Sequence, residues 1–78
     1  MSTEQKQLTG IAEAVLMAGS QSKLATVLGV SQQLVSKWVR QGWVPMGRIL
    51  EIEAQYGISR HRLANPRLTD LVGAGAEA

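Results

Sequence analysis

The chain reads as an all-α protein of four or five short helices, and three observations carry that reading. Apolar residues recur at i, i+3, i+4 spacing along several stretches. Gly19, Gly29, Gly42 and Gly57 divide those stretches from one another. No stretch alternates apolar and polar residues for long enough to make a strand. At 78 residues the chain makes one small domain with a modest core. The absence of cysteine excludes disulfides and thiolate metal sites, and the single histidine, His61, cannot form a zinc site alone. With no Phe and one Tyr, the core must be aliphatic, with Trp38 and Trp43 as its large pieces.

The first helix is expected from about Thr3 to Ala18. Leu8, Ile11, Ala12, Val15 and Leu16 form its buried stripe, Ser2 with Gln5 fits a capping box, and Gly19 fits the stop. Gly10 lies inside this helix and weakens it by up to ~1 kcal/mol relative to Ala, for no reason visible in the sequence. The second helix starts after Ser20, carries Leu24, Ala25 and Leu28 inward, and stops at Gly29. The third starts after Ser31, carries Leu34, Val35 and Trp38 inward, and ends near Gln41 and Gly42. The fourth starts at Pro45, a residue suited to the first helical position because the N–H it lacks would be unpaired there. Its expected stripe is Met46, Ile49, Leu50 and Ala54, and Gly57 closes it. Ser59 caps one further turn through Leu63, which Asn65-Pro66 ends. Residues 1–66 make the domain, and residues 67–78 make a tail that is frayed or ordered by a partner. No apolar run is long enough to span a membrane and no signal-peptide pattern opens the chain, so the expected compartment is the cytoplasm.

The net charge of +2 says less than its distribution. No acid lies between Glu13 and Glu51, while that window holds Lys23, Lys37, Arg40 and Arg48. A basic stretch with no acidic counterweight is a candidate surface for a polyanion, although a solvated helix face reads the same way on charge alone.

Residue sizes within 21–40 narrow the choice. Ala25 is small where the second and third helices would cross closely, and Gly29 stands where the chain must reverse through a positive φ. Val30 is apolar inside a turn, which makes sense if the turn tucks it into the core. Val35 and Trp38 then face Leu24 and Leu28. This is a helix-turn-helix, in which the second helix projects from the surface. The outward face of that helix reads Gln32, Gln33, Ser36, Lys37 and Arg40. Glutamine can pair bidentately with adenine, lysine and arginine can contact guanine or phosphate, and serine can do either. These five are the candidates for base contact. The helix opens at Ser31, so its free N–H groups and positive dipole end face the duplex. Ser22, Lys23, Ser31 and Arg48 are candidates for phosphate contact. Arg48 sits near a helix N-terminus, a poor place for a cation unless an anion is near.

The run from Gln21 to Trp38 resembles the helix-turn-helix of the phage Cro and CI repressors and their prophage relatives, including the small YdaS-type antitoxin-like regulators. The resemblance extends through Pro45 and Arg48-Ile49-Leu50-Glu51-Ile52-Glu53 and covers about residues 8 to 68. It implies a lambda-repressor-like DNA-binding fold, a phosphate contact for Gln21, and base-facing roles for Gln32, Gln33, Ser36 and Lys37. With no long C-terminal partner domain in view, the expectation is Cro-like rather than CI-like.

The plainer readings differ by residue. Leu24, Leu28, Val30, Leu34, Val35 and Trp38 are core. Trp43 reads as a core plug between the third and fourth helices. Arg60, His61 and Arg62 read as a solvated cap turn. Glu51 and Glu53 lie two apart on a helix and point to different faces, so they make no catalytic pair. No nucleophile–base pair, metal cluster or phosphate-cradling loop is present, so no enzyme, metal, cofactor or small-molecule ligand is expected. The expected partner is double-stranded operator DNA, bound by a homodimer that acts as a repressor. The alternative is an antitoxin-like module that uses the same fold to hold a protein. The pairing surface left over is the fourth helix, the Ser59–Leu63 turn, and Leu68, Leu71 and Val72.

Overall fold

The computed structural model describes residues 8–67. Five helices follow one another: α1 (Gly10–Ala18), α2 (Gln21–Leu28), α3 (Gln32–Gln41), α4 (Met46–Tyr56) and the single turn α5 (Arg60–Leu63). No strand occurs among the described residues. The expected all-α fold is therefore the observed one.

Serine caps set most of the boundaries. Ser20 Oγ accepts the Lys23 N–H at 3.0 Å, Ser31 Oγ accepts the Leu34 N–H at 3.1 Å, and Ser59 Oγ accepts the His61 N–H at 3.2 Å. Each satisfies one of the donors that a helix start leaves unpaired. Gly29 closes α2 in the left-handed region at φ 72°, as the tight reversal requires. The Val30 N–H then donates to the Ala25 carbonyl at 3.0 Å, so the turn is held by the helix it ends.

The core joins all five helices: Ile11 and Ala14 from α1, Leu24 and Ala25 from α2, Val35 and Trp38 from α3, Ile49 and Ile52 from α4, and Leu63 from α5. Val44 and Ile58 enter from the connections. Trp38, only 1% exposed, is the largest fully buried side chain. Leu28, Val30 and Leu34 are partly buried against this cluster.

Several expectations are corrected. The first helix does not run through from Thr3, because Leu8 and Thr9 are not helical and Thr9 is the cap, its Oγ accepting the Ala12 N–H at 3.1 Å. The Ser2–Gln5 capping box lies outside the described residues, as do Leu68, Leu71 and Val72. The buried face of α1 is Ile11 and Ala14, with Val15 and Ala18 beside it, whereas Leu8 and Leu16 are exposed. The buried face of α4 is Ile49 and Ile52, and Met46, Leu50 and Ala54 face outward. Pro45 stands at the N-cap of α4, one residue before its first turn. Trp43 is only partly buried; the plug between α3 and α4 is Val44, whose N–H donates to the Leu63 carbonyl at 2.8 Å and so holds that residue inward.

The structure also explains Gly10. A Cβ at this position would lie 2.6 Å from the Arg62 carbonyl oxygen and 2.9 Å from its carbon. The start of α1 rests directly on the backbone of α5, and only glycine permits that approach.

Candidate nucleic-acid interface

The motif is built from α2 and α3. Leu24 and Ala25 of α2 meet Val35 and Trp38 of α3 in the core, so α3 is fixed along its inner side and cannot roll. Val35 and Trp38 are three apart and occupy one face. The opposite face is left to polar residues: Gln32, Gln33, Lys37 and Arg40 are exposed, and Ser36 is half-buried between the two faces. Ser31 spends its hydroxyl acceptor on the cap of α3. What it and the first turn can still offer an anion is the unpaired backbone N–H groups of the helix start.

The first turn of α2 carries Gln21, half-buried, and Ser22 and Lys23, both exposed. The Lys23 side chain folds back so that its Cδ would lie 3.1 Å from a Cβ added at Gly19. Ser22 accepts the Thr26 hydroxyl at its carbonyl, 3.1 Å away, leaving its own hydroxyl outward. Arg48, in the first turn of α4, donates through Nη1 to Glu51 Oε1 at 3.1 Å. That pair is exposed and i,i+3 on one helix, so it is worth a few tenths of a kcal/mol, about the strength a phosphate can displace.

Electrostatically, the cations divide into two sets. Arg60 pairs with Glu53 and Arg62 with Glu13, so the basic cluster of α5 is largely neutralised by the protein itself. Lys23, Lys37 and Arg40 form no ion pair among the described residues. Among the described residues the unpaired positive charge thus lies on α2 and α3 and at Arg67. The plain reading of α5 as a solvated turn misses that Arg62 bridges Glu13 and, at 2.9 Å, the Leu8 carbonyl.

The family profile described as "Bacterial toxin YdaS" matches residues 11–63, about two thirds of the chain, from the first core residue of α1 to the last of α5. The chain belongs to the YdaS family. The matched span takes in the whole helix-turn-helix and every described core residue. YdaS proteins are small Cro-like helix-turn-helix proteins, and the resemblance seen in Gln21–Trp38 is in this way confirmed. Membership places the chain among phage-type regulators and toxin–antitoxin-like proteins. No curated protein and no solved structure matches it. No helix among the described residues is long and apolar enough to cross a membrane.

Proposed function

We propose that the protein is a sequence-specific, double-stranded-DNA-binding transcription regulator, a Cro-like phage or prophage repressor that acts as a dimer on an inverted-repeat operator. The observation that carries this reading is the outer face of α3. It is exposed, free of acids and rich in side chains able to reach base edges, and a buried Val35–Trp38 face holds it rigid. Gln32, Gln33, Ser36, Lys37 and Arg40 contact bases. Gln21, Ser22, Lys23, Ser31 and Arg48 contact phosphates. The protein needs no cofactor, is not an enzyme, and works in the cytoplasm, at the nucleoid.

One recognition helix reads only a few base pairs, too few to specify a site in a genome. Two copies on a two-fold axis double the contacts and read half-sites with centres about one helical turn, ~34 Å, apart. The described surface best suited to a second copy is the outer stripe of α4. Met46 and Leu50 are 76% and 61% exposed at i, i+4 spacing, and Ala54 continues the row.

A gel shift with footprinting on the DNA upstream of the protein's own gene tests the reading. Gln32→Ala is expected to lose about 1–3 kcal/mol of specific binding and to relax preference at one base pair. Lys23→Ala is expected to weaken binding to all sequences alike and to flatten the salt dependence. Sedimentation with a palindromic site is expected to show two chains per duplex; a strict one-to-one complex at saturation would sink the dimer.

The word toxin in the family's description favours a second reading, a toxin–antitoxin-type module that holds a protein partner with the same fold. The two readings separate cleanly. Substitutions at Gln32 and Lys37 weaken operator recognition under the first and leave binding to the protein partner intact under the second.

A further inference from the structure

Arg40 is the ninth of the ten residues of α3, about 12 Å along the helix axis from Gln32. In a helix-turn-helix the N-terminal part of the second helix enters the groove and contacts base edges. An extended arginine near the far end of such a helix meets the phosphate backbone instead. Arg40 instead leans back along α3. Its Nη1 donates to Ser36 Oγ at 2.9 Å, which draws the guanidinium back by one helical turn, about 5.4 Å, toward the groove-entering end. No carboxylate among the described residues competes for it, since Arg40 forms no ion pair with them. Ser36 can serve as the tether because it is half-buried at the edge of the polar face, while its partner is exposed. The guanidinium spends one of its five N–H donors on the serine and keeps the rest in fixed fork geometry.

We propose that Ser36 is a positioning residue that converts Arg40 from a phosphate anchor into a base reader, and that the base read is guanine. The inference rests on the DNA-regulator reading above. A planar fork matches the O6 and N7 acceptors that guanine alone presents together in the major groove. The exposed serine–arginine bond contributes little to folding; its effect is to hold a flexible cation in the orientation that recognition needs, so that less freedom is lost on binding. This replaces the direct base contact given to Ser36 above: its contribution comes through Arg40, not from a base of its own.

The test uses sites selected from randomised duplexes by the wild-type protein, followed by affinities at several salt concentrations. Wild-type protein is expected to select guanine at one position of each half-site. Ser36→Ala is expected to lose about tenfold in discrimination at that position. Its salt slope is expected to stay the same or steepen by about one, as the released arginine takes a phosphate. Arg40→Lys, which keeps the charge and removes the fork, is expected to lose the same preference at the same position. The double variant is expected to be no worse than either single one, the signature of a shared contact. A circular dichroism melt like that of the wild type shows that Ser36→Ala acts on recognition and not on folding. If Ser36→Ala keeps the guanine preference, or loses preference at a position that Arg40→Lys leaves intact, the tether is wrong while the regulator reading stands. If the wild type selects no sequence, both are overturned.

Discussion

Helix α3 and the two helices that flank the helix-turn-helix bury their residues by different logic. In α3 the polar and apolar residues separate cleanly: Val35 and Trp38 go in, and Gln32, Gln33, Lys37 and Arg40 stay out. In α1 nearly every residue from Ile11 to Ala18 except Glu13 is apolar, and in α4 Ile49, Leu50 and Ile52 crowd one another. A helix apolar most of the way round can be rotated with little change in its pattern, so neighbours decide its buried face. The result is that Leu16, Met17, Met46 and Leu50 remain exposed beside a core that excludes them. The difference teaches that a clean separation of faces fixes which side of a helix is buried, whereas a mixed one leaves that choice to its contacts.

The strongest way to sharpen this contrast is at Trp38. Trp38→Ala removes the largest core side chain, at an expected cost of about 3–5 kcal/mol, a large share of the stability of so small a domain. Circular dichroism at room temperature is expected to show a mostly unfolded chain, and a melt near that of the parent would mean that α3 faces the other way.

Next comes Gly10, where the two kinds of reasoning differ in sign. Helix propensity alone has Gly10→Ala stabilise by up to ~1 kcal/mol. The contact with the Arg62 backbone has it destabilise, by about 1–3 kcal/mol, because α1 must move off α5. A rise in melting temperature would break the account of how α1 is placed.

Arg62→Ala is expected to cost less, about 0.5–1 kcal/mol, since its pairs with Glu13 and the Leu8 carbonyl are partly solvated. Part of that loss should vanish in high salt, and a loss that ignores salt would point to packing of the side-chain stem instead. Smallest of all, Leu16→Gln is expected to stay within about ±0.5 kcal/mol, because Leu16 is 66% exposed. A denaturant midpoint that falls steeply for this variant would restore the stripe that the sequence pattern suggests.

Local chemistry made much of the fold legible. Ser20, Ser31 and Ser59 announce helix starts by residue type alone, and each accepts the bond expected of a cap. Gly29 announces the turn, and Leu24, Ala25, Val35 and Trp38 announce the packed side of the motif. The five candidates for base contact can be named without a structure because α3 sorts its faces so sharply, and those for phosphate contact follow from the helix starts, except Gln21, which the resemblance supplies. What could not be read is whatever depends on distant partners. Glu13 and Arg62 are 49 residues apart, so no spacing rule connects them. Gly10 looks like a flaw until α5 is laid against it. Trp43 and Val44 are adjacent and both apolar, and only the bond from Val44 to Leu63 decides which one enters the core.

The closing turn α5 has a consequence for how the chain comes into being. The α2–α3 contacts are local and can form as soon as those residues exist. The bonds from Arg62 to Leu8 and Glu13, and from Val44 to the Leu63 carbonyl, span the domain and await its last residues. During synthesis α3 is therefore made early but seated late. A message cut short before Ile58 would yield a peptide with every residue named for base contact and without the clasp that holds α1 and α4 in register. Such a fragment is expected to be unfolded and open to proteases.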